Sequence, residues 1–186
     1  MKEITFEDIQ KANETIRTTD IKGKEYAEVN QRIKAFRMIY PQGTIHTELI
    51  SNENGICIFK ASVVNEEGKL LADGTAYEKE NSTFINKTSY IENCETSAVG
   101  RALGMAGFGI DTSIASAEEV ANAMTQQDAN KVIDKKMIDS LNKAIENAQI
   151  KDEVVELILG QYGYASTAEI KIKDYMNIVN DFKSKK

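Results

Sequence analysis

The sequence predicts an α+β fold: a three-stranded antiparallel meander packed on a helix, followed by a small helical C-terminal domain. Three observations predict it. Segments Thr44–Ser51, Ile56–Asn65 and Leu70–Glu80 are rich in Ile, Val, Thr, Phe and Tyr. Their separators, Asn52-Glu53-Asn54-Gly55 and Asn65-Glu66-Glu67-Gly68-Lys69, are turn sequences ending near a glycine. Ser89-Tyr90-Ile91-Glu92 then matches a capping box that starts a helix to about Met105.

Before the meander, Thr5 can cap a first helix. Acidic residues stand in its first turn, Ile4 can staple to Ile9, and Phe6, Ile9, Ala12 and Ile16 recur at helical spacing. Thr18 to Lys24 reads as a polar loop. A second helix runs about 26–39, with Val29, Ile33, Phe36 and Ile39 on one face, and it carries Arg32, Lys34 and Arg37. Pro41 ends it and Gly43 marks the turn that follows. In the second strand Cys57, Phe59, Ala61 and Val63 share one face, and Ile58, Lys60, Ser62 and Val64 the other.

Asn81 to Thr88 is a polar connection to the third helix. That helix is rich in small residues, Thr96 to Gly107. Glycine inside a helix costs about 1 kcal/mol relative to alanine. Gly100 and Gly104 therefore imply a close approach, either by packing against the sheet or by a nucleic-acid backbone. Ser116-Ala117-Glu118-Glu119 is a further capping box for a helix to about Met124. The Gln- and Asn-rich residues 125–133 read as a linker between a core, 1–124, and a helical domain, 134–186. In that domain three patterns run about 134–148, 152–162 and 167–183, the last capped by Ser166 and Glu169.

Composition narrows the function classes. No apolar run approaches the ~20 residues of a membrane span, and Met1 to Asp8 lack the apolar core of a signal peptide. Cys57, Cys94 and the single His46 have no metal-ligand spacing. These features give the expectation of a cytoplasmic protein with reduced thiols, without metal or cofactor. Gly104, Gly107 and Gly109 follow a helix rather than a strand and lack the lysine of a phosphate loop. No Ser-His-Asp set exists, so no catalytic residue is assigned. Glu66-Glu67 read as hairpin-turn charges, and Asp111 as a turn or cap residue.

The net charge of −6 speaks against nucleic-acid binding. Residues 1–124 hold 13 Lys and Arg against 19 Asp and Glu, and residues 125–186 hold 10 against 10. A nucleic-acid site must therefore be a local cluster. Arg32, Lys34 and Arg37 lie on the second helix, Lys60 in a strand, and Lys79 and Lys87 around the strand-to-helix connection. Arg101 is the only charge between Glu95 and Asp111. A half-buried arginine needs an anion; Glu95, Asp111 or a phosphate fits that requirement.

The order of helix, meander and the Gly100-Arg101-Ala102-Leu103 helix resembles the single-strand annealing domain of the Rad-fifty-two superfamily and its phage relatives of the Sak and Erf type. The resemblance rests most on Glu95 to Gly109 and spans about residues 20–124. It implies a β-β-β-α annealing core whose protomers form an oligomeric ring on single-stranded DNA. Complementary strands would be annealed without ATP, as in phage-type homologous recombination. Arg101 would match the phosphate-contacting arginine of that family, and Arg32 another. Lys34, Arg37, Lys60, Lys79 and Lys87 complete the expected DNA-binding set. Some members carry a lysine just before the helix arginine, where this chain has Gly100. The C-terminal helices look like the appended domain of phage annealing proteins, which implies recruitment of the host single-stranded-DNA-binding protein through residues 134–186. The alternative is a protein-interaction or inhibitor module of a mobile element using the same fold. A small nuclease is the third reading.

Overall fold

The computed structural model describes residues 4–184; residues 1–3 and 185–186, at the ends of the two expected domains, lie outside the described residues. The chain divides into two compact units, Met1–Met124 and Thr125–Lys186.

The first unit opens with α1, Phe6–Asn13, whose N-terminus is closed by a reciprocal cap between Thr5 and Asp8. The segment expected as a polar loop is instead a hairpin: β1, Thr18–Ile21, pairs antiparallel with β2, Lys24–Ala27. Lys22 and Gly23 both take positive φ, 53° and 80°, and so form the two-residue turn whose twist suits paired strands. The second helix, α2, consequently starts later than expected and spans Val29–Ile39.

The meander forms as expected. β3, Thr44–Glu53, β4, Ile56–Val64, and β5, Leu70–Lys79, make a three-stranded antiparallel sheet in that order. In β4 the residues Cys57, Phe59, Ala61 and Val63 are all buried, and the alternate residues are only partly covered. Burying Phe59 and Val63 contributes about 1.5–3 kcal/mol each. The long helix α3, Tyr90–Met105, lies on this face, mainly against β4 and β5. Its approach is closest at Gly74 of β5, where a Cβ would stand 2.3 Å from the Ala102 nitrogen. Ser89 is the N-cap of α3, but its side chain makes no cap bond, so the expected capping box does not form. The C-terminus of α3 closes with Gly107 at φ 101°, Gly107 N bonding Gly104 O and Phe108 N bonding Leu103 O.

The Ser116–Glu119 box does form. Ser116 N donates to Glu119 Oε2 at 3.0 Å and Glu119 N to Ser116 Oγ at 3.3 Å. It begins α4, Ala117–Ala129. Residues 125–129 of the expected linker are thus helical.

In the second unit, α5, Lys135–Asn147, α6, Asp152–Gln161, and α7, Ile172–Lys183, enclose Ile133, Leu141, Ile158, Leu159, Ile170, Ile178 and Phe182. The expected Ser166 cap gives only a single 3-10 turn, Thr167–Glu169, and α7 starts after Ile170 has dipped into the core. The other end of the expected linker is paired rather than loose: Ile133 N donates to Ile170 O, and Ile172 N to Lys131 O, each at 2.9 Å.

Candidate nucleic-acid interface

The seven cations expected to meet DNA occupy four different environments. Arg32 is the clearest departure. The helical stripe that α2 buries is Val29, Arg32, Ala35 and Phe36, so Arg32 stands within the apolar face rather than beside it. Its guanidinium is fully buried and surrounded by backbone carbonyls. Nη1 donates to Gly100 O and Ile114 O, both at 2.7 Å, and Nη2 to Ser113 O at 2.6 Å, Ala115 O at 3.3 Å and Gly109 O at 3.4 Å. Burial pulls its pKa below the usual arginine value, and Glu119 and Glu118 oppose that pull. The assignment of Arg32 to phosphate is corrected: in this structure the side chain ties α2 and α3 to the loop 109–115 and leaves no surface to a ligand.

The same packing accounts for the small residues of α3. A Cβ on Gly100 would stand 2.8 Å from Val29 Cγ2, and one on Gly104 would stand 2.7 Å from Arg32 Nη1. The close approach that these glycines allow is that of α2 and its arginine. The sheet makes its own approach at Gly74.

Arg101 is half-exposed, and its anionic partner is Glu119, at 3.3 Å. Neither Glu95 nor Asp111 serves: Glu95 accepts from Thr47 Oγ1 at 2.6 Å, and Asp111 is exposed. Among the described residues the buried Nε atoms of both Arg101 and Arg32 have no hydrogen-bond partner. Glu118 has a different task. Its carboxylate accepts from the Val29 nitrogen at 3.1 and 3.3 Å, capping α2, whose own N-cap residue Glu28 makes no side-chain bond to it. Sequence reading missed both links because they join residues some 18 and 89 positions apart.

Arg37 is exposed in the last turn of α2, but it donates to Gly43 O and to Pro41 O and so holds the turn into β3. Lys34, Lys79 and Lys87 are exposed and make no ion pair among the described residues. Lys60 lies on the sheet face turned away from α3 and pairs with Asp73 at 2.9 Å. The Lys60 and Ser62 contacts hold the Asp73 carboxyl below the usual aspartate range, the hydrogen bond from Ser62 Oγ at 2.6 Å first. Cross-strand register places His46 beside Ser62, Glu48 and Thr75 beside Lys60, and Tyr77 beside Ile58. Tyr77 is 72% exposed there. Within the single chain the cations thus divide between the outer side of α2, the open sheet face, and the two ends of α3. They do not form one groove.

A cleft of about 680 Å³ lies at the other end of α2, between Met38–Pro41 and the turn from β4 to β5. Glu66, Glu67 and Lys69 help to line it, and burial, followed by the two carboxylates, pushes the Tyr40 hydroxyl above its ordinary pKa. The two carboxylates outnumber the one lysine there, which disfavours phosphate. Among the described residues no group of three or more His, Cys, Asp and Glu is placed to hold a metal ion, and no helix is long and apolar enough to cross a membrane.

Comparison with known families adds one finding. The family model described as Slr1353 N-terminal dsRNA-binding domain-like matches residues 33–106. The matched stretch starts within α2, takes in β3, β4 and β5, and ends at the C-terminus of α3. This overturns the resemblance to the Rad-fifty-two superfamily and its Sak and Erf relatives, because the family that fits these residues is a different one. The Gly-Arg-Ala-Leu stretch that carried that resemblance follows from helix packing instead. No curated protein matches the chain.

Proposed function

We propose that residues 1–124 form a nucleic-acid-binding module that acts without ATP and without catalysis. The observation that supports this reading is the match of a family described as dsRNA-binding domain-like to the helix–sheet–helix unit, residues 33–106. Modules of that kind recognise shape and phosphates more than base edges. The reading therefore asks for exposed cations on rigid elements, and Lys34 on α2, Lys79 at the end of β5, and Lys87 ahead of α3 supply them. Arg101 joins them when phosphate displaces Glu119.

Annealing of complementary single strands is the finer proposal. Cations that one protomer leaves dispersed gain reach when several copies line up along a strand, so an oligomeric ring and annealing go together in this reading. Two assays test it. Labelled single-stranded DNA, duplex DNA and duplex RNA, each of the same length, identify the preferred ligand. Complementary strands carrying a dye and a quencher report annealing, with light scattering giving the oligomer size. Faster pairing by an oligomer supports annealing. A monomer that prefers duplex and leaves pairing unchanged removes annealing and keeps the binding module.

A protein-interaction or inhibitor module is the second reading. It is favoured by the neutralisation of Lys60 by Asp73 and of Arg101 by Glu119 on a chain of net charge −6. Failure of all three nucleic acids to bind selects it.

A further inference from the structure

The second unit carries equal numbers of cations and anions, but they are not evenly spread. The pairing of residues 131–133 with 170–172 brings together two lysine-bearing segments that are far apart in sequence. Val132 bridges Lys171, flanked by the Lys131–Ile172 and Ile133–Ile170 hydrogen bonds. Lys135 and Lys136 follow at once in the first turn of α5, and Lys173 stands in the first turn of α7. Lys131, Lys135, Lys136 and Lys173 are exposed, and Lys171 is partly so.

Three of the carboxylates nearest in sequence are already engaged, while Asp139, three residues after Lys136 on α5, is exposed and makes no ion pair among the described residues. Asp134 caps α5 through Met137 N at 2.8 Å, Asp174 accepts from the Tyr164 hydroxyl at 2.5 Å, and Asp128 pairs with Lys131 at 2.7 Å. Lys135, Lys136, Lys171 and Lys173 make no ion pair among the described residues.

Three of these lysines also stand at the wrong end of a helix. The first turn of a helix favours anions, because its free N–H groups and dipole are positive there. α5 has no acidic residue in its first turn. Lysines there gain nothing from the helix dipole, although Asp134 caps α5 and Asp174 stands in the first turn of α7, and positions that break a local rule are candidates for function.

We propose that residues 131–136 and 171–173 form a phosphate-binding patch, a second contact for nucleic acid in addition to the one on residues 1–124. The inference rests on the nucleic-acid reading above. Lysine is suited to it as a flexible point charge that follows a backbone without reading sequence. Each phosphate neutralised releases counterions, so the patch must show in the salt dependence of binding.

The test uses the full chain. K135Q/K136Q/K171Q/K173Q is compared with the unaltered protein and with the corresponding four-arginine variant by titrating labelled single-stranded and duplex DNA over a range of salt. Loss of two to four contacts lowers the slope of log K against log salt by roughly 1.5–3.5 and weakens binding about tenfold or more at low salt, while the arginine variant keeps both. The double variant K135Q/K136Q, which leaves the paired segments unaltered, gives about half that effect and covers a folding failure of the quadruple. An unchanged slope in the Gln variants, with the unaltered protein binding normally, overturns the patch and leaves the first site standing. If the same variants instead lose binding to a polyglutamate peptide, the patch belongs to an acidic protein segment and the proposal is wrong. No binding of DNA by the unaltered protein overturns both the patch and the functional reading.

Discussion

The Arg32 guanidinium occupies the space that a side chain on Gly104 would fill, with Nη1 only 2.7 Å from the position of a Cβ there. One relationship thus explains two unusual features of the sequence, a glycine in mid-helix and an arginine on an apolar stripe. Gly104→Ala is expected to destabilise the protein by about 1–3 kcal/mol, the range for overpacking a core. Gly74→Ala, whose Cβ would meet backbone rather than a side chain, should cost at least as much. Gly160 in α6 has nothing within 4 Å of its Cβ position, so Gly160→Ala should stabilise by about 0.5–1 kcal/mol. Urea unfolding of the three variants checks the contrast in sign.

Arg32 itself is predicted to be a stability residue. Arg32→Met leaves five carbonyls without their donor, and unsatisfied buried groups cost about 1–3 kcal/mol each. The variant should lose most of the stability of the first unit. Arg32→Lys keeps the charge but cannot span the same carbonyls, so it too should be clearly destabilised. Lys34→Gln, two residues away and exposed, should stay within about 0.5 kcal/mol. Equal thermal shifts for the substitutions at 32 and 34 would contradict this.

Cys57 and Cys94 meet in the core between β4 and α3, with Cys94 Sγ 3.4 Å from Cys57 O. Burial, with Cys57 beside it, pushes the Cys94 thiol from about 9 up to about 12. The folded state therefore holds this proton more tightly than the unfolded chain does. Its contribution to stability is complete below about pH 9 and is lost as the pH rises towards 12. Titration with a thiol reagent at pH 8 should show Cys94 protected until the chain unfolds. Rapid labelling of the native protein at Cys94 would refute its placement.

Glu119 restrains Arg101. Glu119→Gln keeps an oxygen able to close the Ser116 cap but removes the competing charge. The freed arginine should bind nucleic acid about two- to fivefold more tightly at low salt, an effect below about 1 kcal/mol, as expected for a part-exposed pair. Arg101→Gln should weaken binding across all sequences, since phosphate contacts carry no sequence information. No change in either variant would take Arg101 out of the interface.

Much of the fold was legible in the sequence, and the reason is local chemistry. The turns at Gly55 and Gly68 and the strict alternation in β4 fix the meander within a few residues of chain. The Lys22-Gly23 hairpin was missed because Thr18–Ile21 is polar and mostly exposed, which leaves no apolar alternation to read. Arg32 was misplaced because its charge outweighed its spacing, three residues after Val29 and four before Phe36, which is the spacing of the buried stripe. The Glu118 and Glu119 links depend on the loop 107–116 folding back onto α2, and no periodicity encodes that. The Ser89 and Ser166 boxes show the opposite error, a local signal that tertiary packing did not use.

The proposed function stands or falls on nucleic-acid binding by phosphate contacts. Fluorescence anisotropy of labelled ~50-nucleotide single-stranded DNA and of duplexes, titrated with the full chain from 50 to 300 mM salt, tests it most directly. Saturable binding is expected, with log K falling linearly with log salt at a slope of several units. Absence of binding at the lowest salt, or binding that ignores salt, would contradict it.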